Sequence, residues 1–219
     1  VAVQHPTPGV CAVVDASTAD CTYPPDETDC EAAAGICIDG GCIGVAGPPK
    51  AGEVIFTEVM VDPAAAGDDL GEWFELTSLA AEPVTLSPCT IGDLGLDLDA
   101  IGDEPPVVLM PGQRMVVGRS ADLALNGGVV VGLVLTDSEL ANDGDELILQ
   151  CQGTEIDRIV FDAAWPFDQG VAMQLDPGAT DKDTNDSASS WCEAYVAIGN
   201  GDFGTPGAPN PACPAANAA

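Results

Sequence analysis

Nine cysteines constrain this chain more than any other feature: Cys11, Cys21, Cys30, Cys37, Cys42, Cys89, Cys151, Cys192 and Cys213. No two are spaced as Cys-x-x-Cys, so the usual zinc signature is missing and a disulfide framework is the reading that remains. Five of them fall in the first 42 residues, in a polar, Gly- and Pro-containing stretch too short to bury a core of its own. Such stretches are held together by cross-links and belong to oxidising compartments. A chain that opens at Val1 without an initiator Met or a basic leader likewise reads as a processed, secreted protein of the cell surface or beyond. The odd number leaves one N-terminal thiol without a local mate. It is either a free buried cysteine or one end of a bridge to a neighbouring chain, for which Cys11 is the candidate.

The rest of the sequence divides around the stiff Gly47-Pro48-Pro49-Lys50-Ala51-Gly52 stretch. Residues 1–46 are the Cys-rich module, 47–52 a linker, 53–210 a larger domain and 211–219 a small, uncharged tail. In the larger domain short β-type runs recur between turn signals: Val54 to Met60, Trp73 to Thr77, Val84 to Leu86, Val107 to Met110, Met115 to Gly118, Val129 to Leu135, Glu146 to Cys151, Glu155 to Phe161 and Val171 to Leu175. Gln152-Gly153 sits where a hairpin turn belongs, and no window has sustained helical periodicity. With 25 glycines, 18 prolines and 46% hydrophobic residues, the expected class is all-β, a sandwich with a small disulfide-rich module before it. One helical turn is expected at Asp29 to Gly35.

Thirty-six acidic residues face five basic ones, a formal net charge of −31. A negative field over most of the surface makes nucleic acid and anionic membranes poor partners and divalent cations natural counterions. No run of 18 apolar residues suggests a membrane-spanning helix.

Three stretches carry a family likeness. Ile55-Phe56-Thr57-Glu58-Val59-Met60-Val61-Asp62-Pro63 followed by Gly71-Glu72-Trp73-Phe74-Glu75-Leu76, then Leu140-Ala141-Asn142-Asp143-Gly144-Asp145-Glu146-Leu147-Ile148-Leu149, then Gly204-Thr205-Pro206-Gly207-Ala208-Pro209-Asn210 resemble, in order, motifs of the lamin-tail domain in its bacterial secreted form. The resemblance covers about residues 53–210 and implies an immunoglobulin-like sandwich. It implies no filament rod, since the chain has no coiled-coil pattern, and it covers nothing before the linker.

Catalytic chemistry finds few parts. The only histidine, His5, lies in the N-terminal tail, so a His-based triad in the larger domain is excluded by count, and no Gly-x-Ser-x-Gly or phosphate-binding loop occurs. Paired carboxylates could cleave glycosides, but with this many acids their proximity carries little meaning. The best ligand constellation is Asp181, Asp183, Asn185 and Asp186, whose side-chain oxygens on a tight loop suit calcium. It lacks the glycine and the terminal glutamate of an EF-hand, and a solvated turn or an N-glycan at Asn185-Asp186-Ser187 competes for the same residues. Asp68, Asp69 and Glu72 form a weaker acidic loop. Cys192 and Cys213 bracket the closing Gly-Thr-Pro-Gly segment and are expected to staple it; Cys89 and Cys151 are then the second pair of the domain.

The function expected from these features is non-enzymatic: an extracellular structural protein, a surface filament or sheath subunit that assembles with copies of itself, with disulfides and calcium as stabilisers. The uncharged arm Val1 to Val14 is the expected docking segment. The alternative is a monomeric secreted binding, adhesion or accessory module.

Overall fold

The computed structural model describes residues 47–93, 98–102, 106–137, 139–198 and 201–215, together with the backbone of six short strands in the first 44 residues. The chain separates into two compact units, Val1–Gly47 and Pro48–Ala219. In the first, β1 (Val3–Gln4) pairs with β4 (Thr28–Asp29), β2 (Val10–Val13) with β3 (Ala19–Thr22), and β5 (Gly35–Ile38) with β6 (Gly41–Gly44), all antiparallel. The register sets Cys11 opposite Cys21 and Cys37 opposite Cys42. Both strands of the arm Val1 to Val14 therefore pair within their own module. The helical turn expected at Asp29 to Gly35 falls on residues 30–34, outside the described residues, although Asp29 and Gly35 themselves lie in strands.

Among its described residues the second unit is all-β apart from one turn of helix, α1 (Asp68–Gly71), and a 3₁₀ turn at Ala188–Ser190. Its strands are β7 (Val54–Met60), β8 (Trp73–Ser78), β9 (Val84–Thr85), β10 (Cys89–Gly92), β11 (Leu98–Ala100), β12 (Val108–Leu109), β13 (Arg114–Gly118), β14 (Leu133–Val134), β15 (Gly144–Cys151), β16 (Thr154–Asp162), β17 (Met173–Leu175) and β18 (Trp191–Glu193). A six-stranded sheet runs β14-β13-β8-β7-β17-β18, a four-stranded one β11-β10-β15-β16, and β9 pairs with β12. Among these pairings only β13 with β14 is parallel.

The two larger sheets pack through inward side chains. Phe56, Val59, Phe74 and Leu76 of the first share one buried cluster with Leu147, Leu149, Ile156, Ile159 and Phe161 of the second. Phe56 and Phe74 meet edge to face at 5.6 Å between ring centroids, the arrangement aromatic quadrupoles favour. The β15–β16 hairpin closes through Gln152 and Gly153, both with positive φ. Two left-handed residues match the twist of a two-residue hairpin, and Gly153 adopts its value without a Cβ clash.

All seven residues of β7 and all six of β8 are buried, so these strands are covered on both faces. The outer face is closed partly by a second apolar cluster of Met60, Trp73, Val116, Val129, Ala172 and Ala194. A sandwich with one solvated face would alternate instead. The run expected at Val129 to Leu135 shortens to Leu133–Val134, because Val129 and Val131 turn onto that outer cluster.

Candidate functional site

The principal concentration of buried chemistry lies on β7 and β8. A register shift between Phe56 and Glu58 brings Glu58 directly opposite Glu75, two acids facing each other where like charges ordinarily repel. Both are fully buried. Glu75 is held by the Thr57 hydroxyl (Oγ1 to Oε1, 2.7 Å) and by Arg114 (Nη1 to Oε1, 2.8 Å), and Arg114 also donates to Thr77 Oγ1 at 2.9 Å. The remaining oxygens are taken by the closing segment. Thr205 donates its backbone N–H to Glu58 Oε1 at 2.7 Å and sets its hydroxyl 3.2 Å from Oε2, while Gly207 N–H donates to Glu75 Oε2 at 2.9 Å. Asn210 finishes the clamp by donating Nδ2 to the carbonyls of Thr57 (2.7 Å) and Leu175 (3.0 Å).

Burial pushes the Glu58 carboxyl up to about 8, and the neighbouring Glu75 adds to the rise against the pull of Thr205 and Arg114. Glu75 is also raised by burial, which outweighs its bonds to Thr57 and Arg114. The segment 204–210 fits because residue 204 is glycine: a Cβ there would lie 2.9 Å from Ile198 Cδ1, 3.1 Å from Glu58 Oε1 and 3.2 Å from Trp73 Cζ2.

Three further buried acids tie loops to the frame. Glu72 Oε2 accepts from Arg119 Nη1 and from Leu140 N–H, each at 3.1 Å, and burial raises its carboxyl to about 7. Asp202 Oδ1 accepts the backbone N–H groups of Ala64 (3.1 Å) and Ala65 (3.0 Å), and burial raises it as well. Asp157, on β16, reaches across the sandwich. Its Oδ2 accepts Phe56 N–H at the β7 irregularity and Asn185 Nδ2, each at 2.8 Å, and burial raises it to about 7.

The four residues expected to hold calcium are not gathered. Asn185 is wholly buried, with its amide turned to Asp157 and the Phe56 carbonyl. Asp181 Oδ1 instead accepts the backbone N–H of Asp183 and Thr184 inside its own turn, and Asp183 pairs with Lys182. Asp186 is exposed. Among the described residues no three His, Cys, Asp or Glu side chains cluster as a metal site. A glycan at Asn185 would need an amide nitrogen that is here hydrogen-bonded in the interior. Of the weaker acidic loop, Glu72 is buried against Arg119, while Asp68 and Asp69 are exposed on α1.

Cys89 and Cys151 face each other across β10 and β15 and are joined, with Cα atoms 4.1 Å apart. Cys192 on β18 is joined to Cys213 at 5.7 Å, which anchors the chain beyond the clamp. The side chain of Cys11 lies outside the described residues. The Cys192–Cys213 loop spans 21 residues, a closure that stabilises by roughly 3 kcal/mol through the unfolded chain. Replacing both cysteines by serine is therefore expected to lower the denaturation midpoint and to free residues 211–215 to limited proteolysis. A guanidinium titration alongside a protease time course checks both.

Beside β18 opens a groove of about 420 Å³ lined by Pro166, Trp191, Cys192, Glu193, Ala194, Tyr195 and Pro214. Both β14 and β18 are end strands of the six-stranded sheet. Flanking β18, Ala194 N–H bonds to Ala172 O and Asp176 N–H to Ser190 O, so by antiparallel alternation the backbone groups of Glu193 point away from β17.

No family model, curated protein or solved structure matches the chain. No described helix is long and apolar enough to cross a membrane.

Proposed function

We propose that this is a non-enzymatic extracellular structural protein that assembles with copies of itself, built on a lamin-tail-like sandwich. The observation that carries the reading is the occupant of the Glu58–Glu75 pair. A paired, buried, proton-binding set of carboxylates would be the natural start of an active site, yet Thr205 and Gly207 of the same chain take its oxygens, and Asn210 locks them in place. The buried acids at Glu72, Asp157 and Asp202 are spent in the same way, on backbone N–H groups of Leu140, Phe56 and Ala64. The machinery points inward, toward holding the chain in shape. Two disulfides in the larger unit suit an oxidising exterior.

Electron microscopy and light scattering of the native protein test the proposal. Extended or ring-like polymers with no hydrolase activity are the expected result. Monodisperse monomers at all accessible concentrations would overturn it in favour of a secreted binding or accessory module.

A further inference from the structure

Two surfaces of the larger unit depart from its charge. Its two longest runs without Asp, Glu, Lys or Arg are residues 123–136 and 203–219. Just before the second run, residues 194–202 carry only the buried Asp202. Nine large apolar side chains are exposed among the described residues, and seven of them belong to these two regions: Leu123, Leu125, Val130 and Val134 in one, Tyr195, Val196 and Phe203 in the other. Only Leu79 and Val160 lie elsewhere. Scattered singly such residues need no explanation, but gathered where charge is excluded they mark contact surfaces.

The fold puts the two regions on opposite edges of one sheet. Val134 belongs to β14, one end strand, while Tyr195 and Val196 follow β18, the other. Five strand spacings separate the edges, roughly 24 Å at ~4.8 Å each. The two differ in form. The β14 side presents an apolar loop with Val130 75% exposed, and the β18 side presents the groove that Tyr195 and Pro214 help to line. The end strand of the other sheet, β16, is more heavily charged, with Glu155, Arg158 and Asp162 against the single Glu193 of β18, and such charges keep an edge from pairing.

We propose that the loop Leu123–Val130 of one copy seats against the groove beside β18 of a second copy. A chain of net charge −31 repels its like over most of its surface, so a copy is accepted best where charge is sparse: the loop carries none, and the groove carries Glu193 alone. The surfaces are different, and they lie on opposite edges. Their contact is therefore heterologous, leaves a free loop at one end and a free groove at the other, and propagates. This docking rests on the self-assembly proposed above and names the surfaces it uses.

The test uses the full-length protein and two single variants, Val130→Asp on the loop and Val196→Asp beside the groove, both exposed positions at which circular dichroism checks the fold. Sedimentation velocity is expected to show polymers for the unaltered chain and, for each variant alone, an association at least tenfold weaker. Mixed in equal amounts, the two variants are expected to form dimers and nothing larger, because only one competent loop and one competent groove remain per pair. Val160→Asp is expected to assemble as the unaltered chain does. If the unaltered chain polymerises and either single variant does so equally well, or if the mixture stays monomeric, the docking assignment is wrong while self-assembly stands. An unaltered chain that stays monomeric overturns both.

Discussion

Thermal stability is expected to fall as pH rises from 5 to 9, the reverse of what acid-denatured proteins show. Burial raises Glu58 to about 8 and Glu72 and Asp157 to about 7, and raises Glu75 and Asp202 as well. Each therefore binds its proton more tightly folded than unfolded, and folding takes up protons between the ordinary carboxyl range and about pH 8. Their stabilisation is complete below the unfolded values and is lost as pH climbs through the folded ones. Every tenfold gain in proton affinity on folding corresponds to about 1.4 kcal/mol. Three groups losing their protons together lower the midpoint, at roughly 2–4 °C per kcal/mol in a domain of this size. Surface repulsion in a −31 chain acts in the same direction, but salt screens it and does not screen buried groups. Calorimetry across pH at about 0.15 M and about 1 M salt separates the two contributions: the fall persists at high salt. Glu58→Gln keeps the acceptor for Thr205 and has no proton to lose, so its melting profile flattens between pH 7 and 9. A midpoint that holds steady or rises toward pH 9 would refute the account of the clamp.

Local pattern made the strands legible and left their polar contents unread. Val54 to Met60 and Trp73 to Thr77 stand out because apolar runs between turn residues bury themselves wherever the chain goes next. Cys89–Gly92, Leu98–Ala100 and Trp191–Glu193 carry no such mark, since each is four residues or fewer and holds its place by pairing with other strands, Cys89–Gly92 with the distant β15. The clamp was hidden by sequence distance. Thr205 lies 147 residues from Glu58, and Gly207 lies 132 from Glu75. A signal did exist: an acid in the middle of an otherwise apolar strand, as at Glu58 and Glu75, must be paired or protonated. Those acids lie on β7 and β8, and Gly204–Asn210 supplies their partners.

Asn185 misleads for a related cause. In Asp181-Lys182-Asp183-Thr184-Asn185-Asp186 it reads as one oxygen ligand among several, because nothing local distinguishes an inward side chain from an outward one. Its partner, Asp157, lies 28 residues upstream on another strand. Trp191, six residues on, donates Nε1–H to the Asn185 carbonyl at 2.7 Å and packs tilted against Trp165, ring centroids 5.9 Å apart, so the loop is pinned by the interior.

Removing the Asp157 side chain is expected to be the most damaging single change to the sandwich. Its Oδ2 alone receives both Phe56 N–H from β7 and the Asn185 amide, and both donors are buried where water cannot replace it. Asp157→Ala strands the Phe56 N–H, leaves the Asn185 amide only its longer bond to the Phe56 carbonyl and opens a gap between sheets, at a cost of roughly 3 kcal/mol or more. Asp157→Asn retains an acceptor of the same shape and has no charge to desolvate. It is expected to match the unaltered chain at pH 5, where Asp157 is protonated, and to be the more stable of the two at pH 8. Hydrogen exchange adds a local readout: with alanine the amide of Asn185, which bonds to the Asp181 carbonyl at 3.0 Å, should lose protection before the β15–β16 hairpin does. An alanine variant within about 0.5 kcal/mol of the unaltered chain, the range of ordinary surface changes, would mean that Asp157 bridges nothing of consequence. An asparagine variant less stable at pH 8 would mean that the carboxylate, and not its neutral form, is what the interior is built to hold.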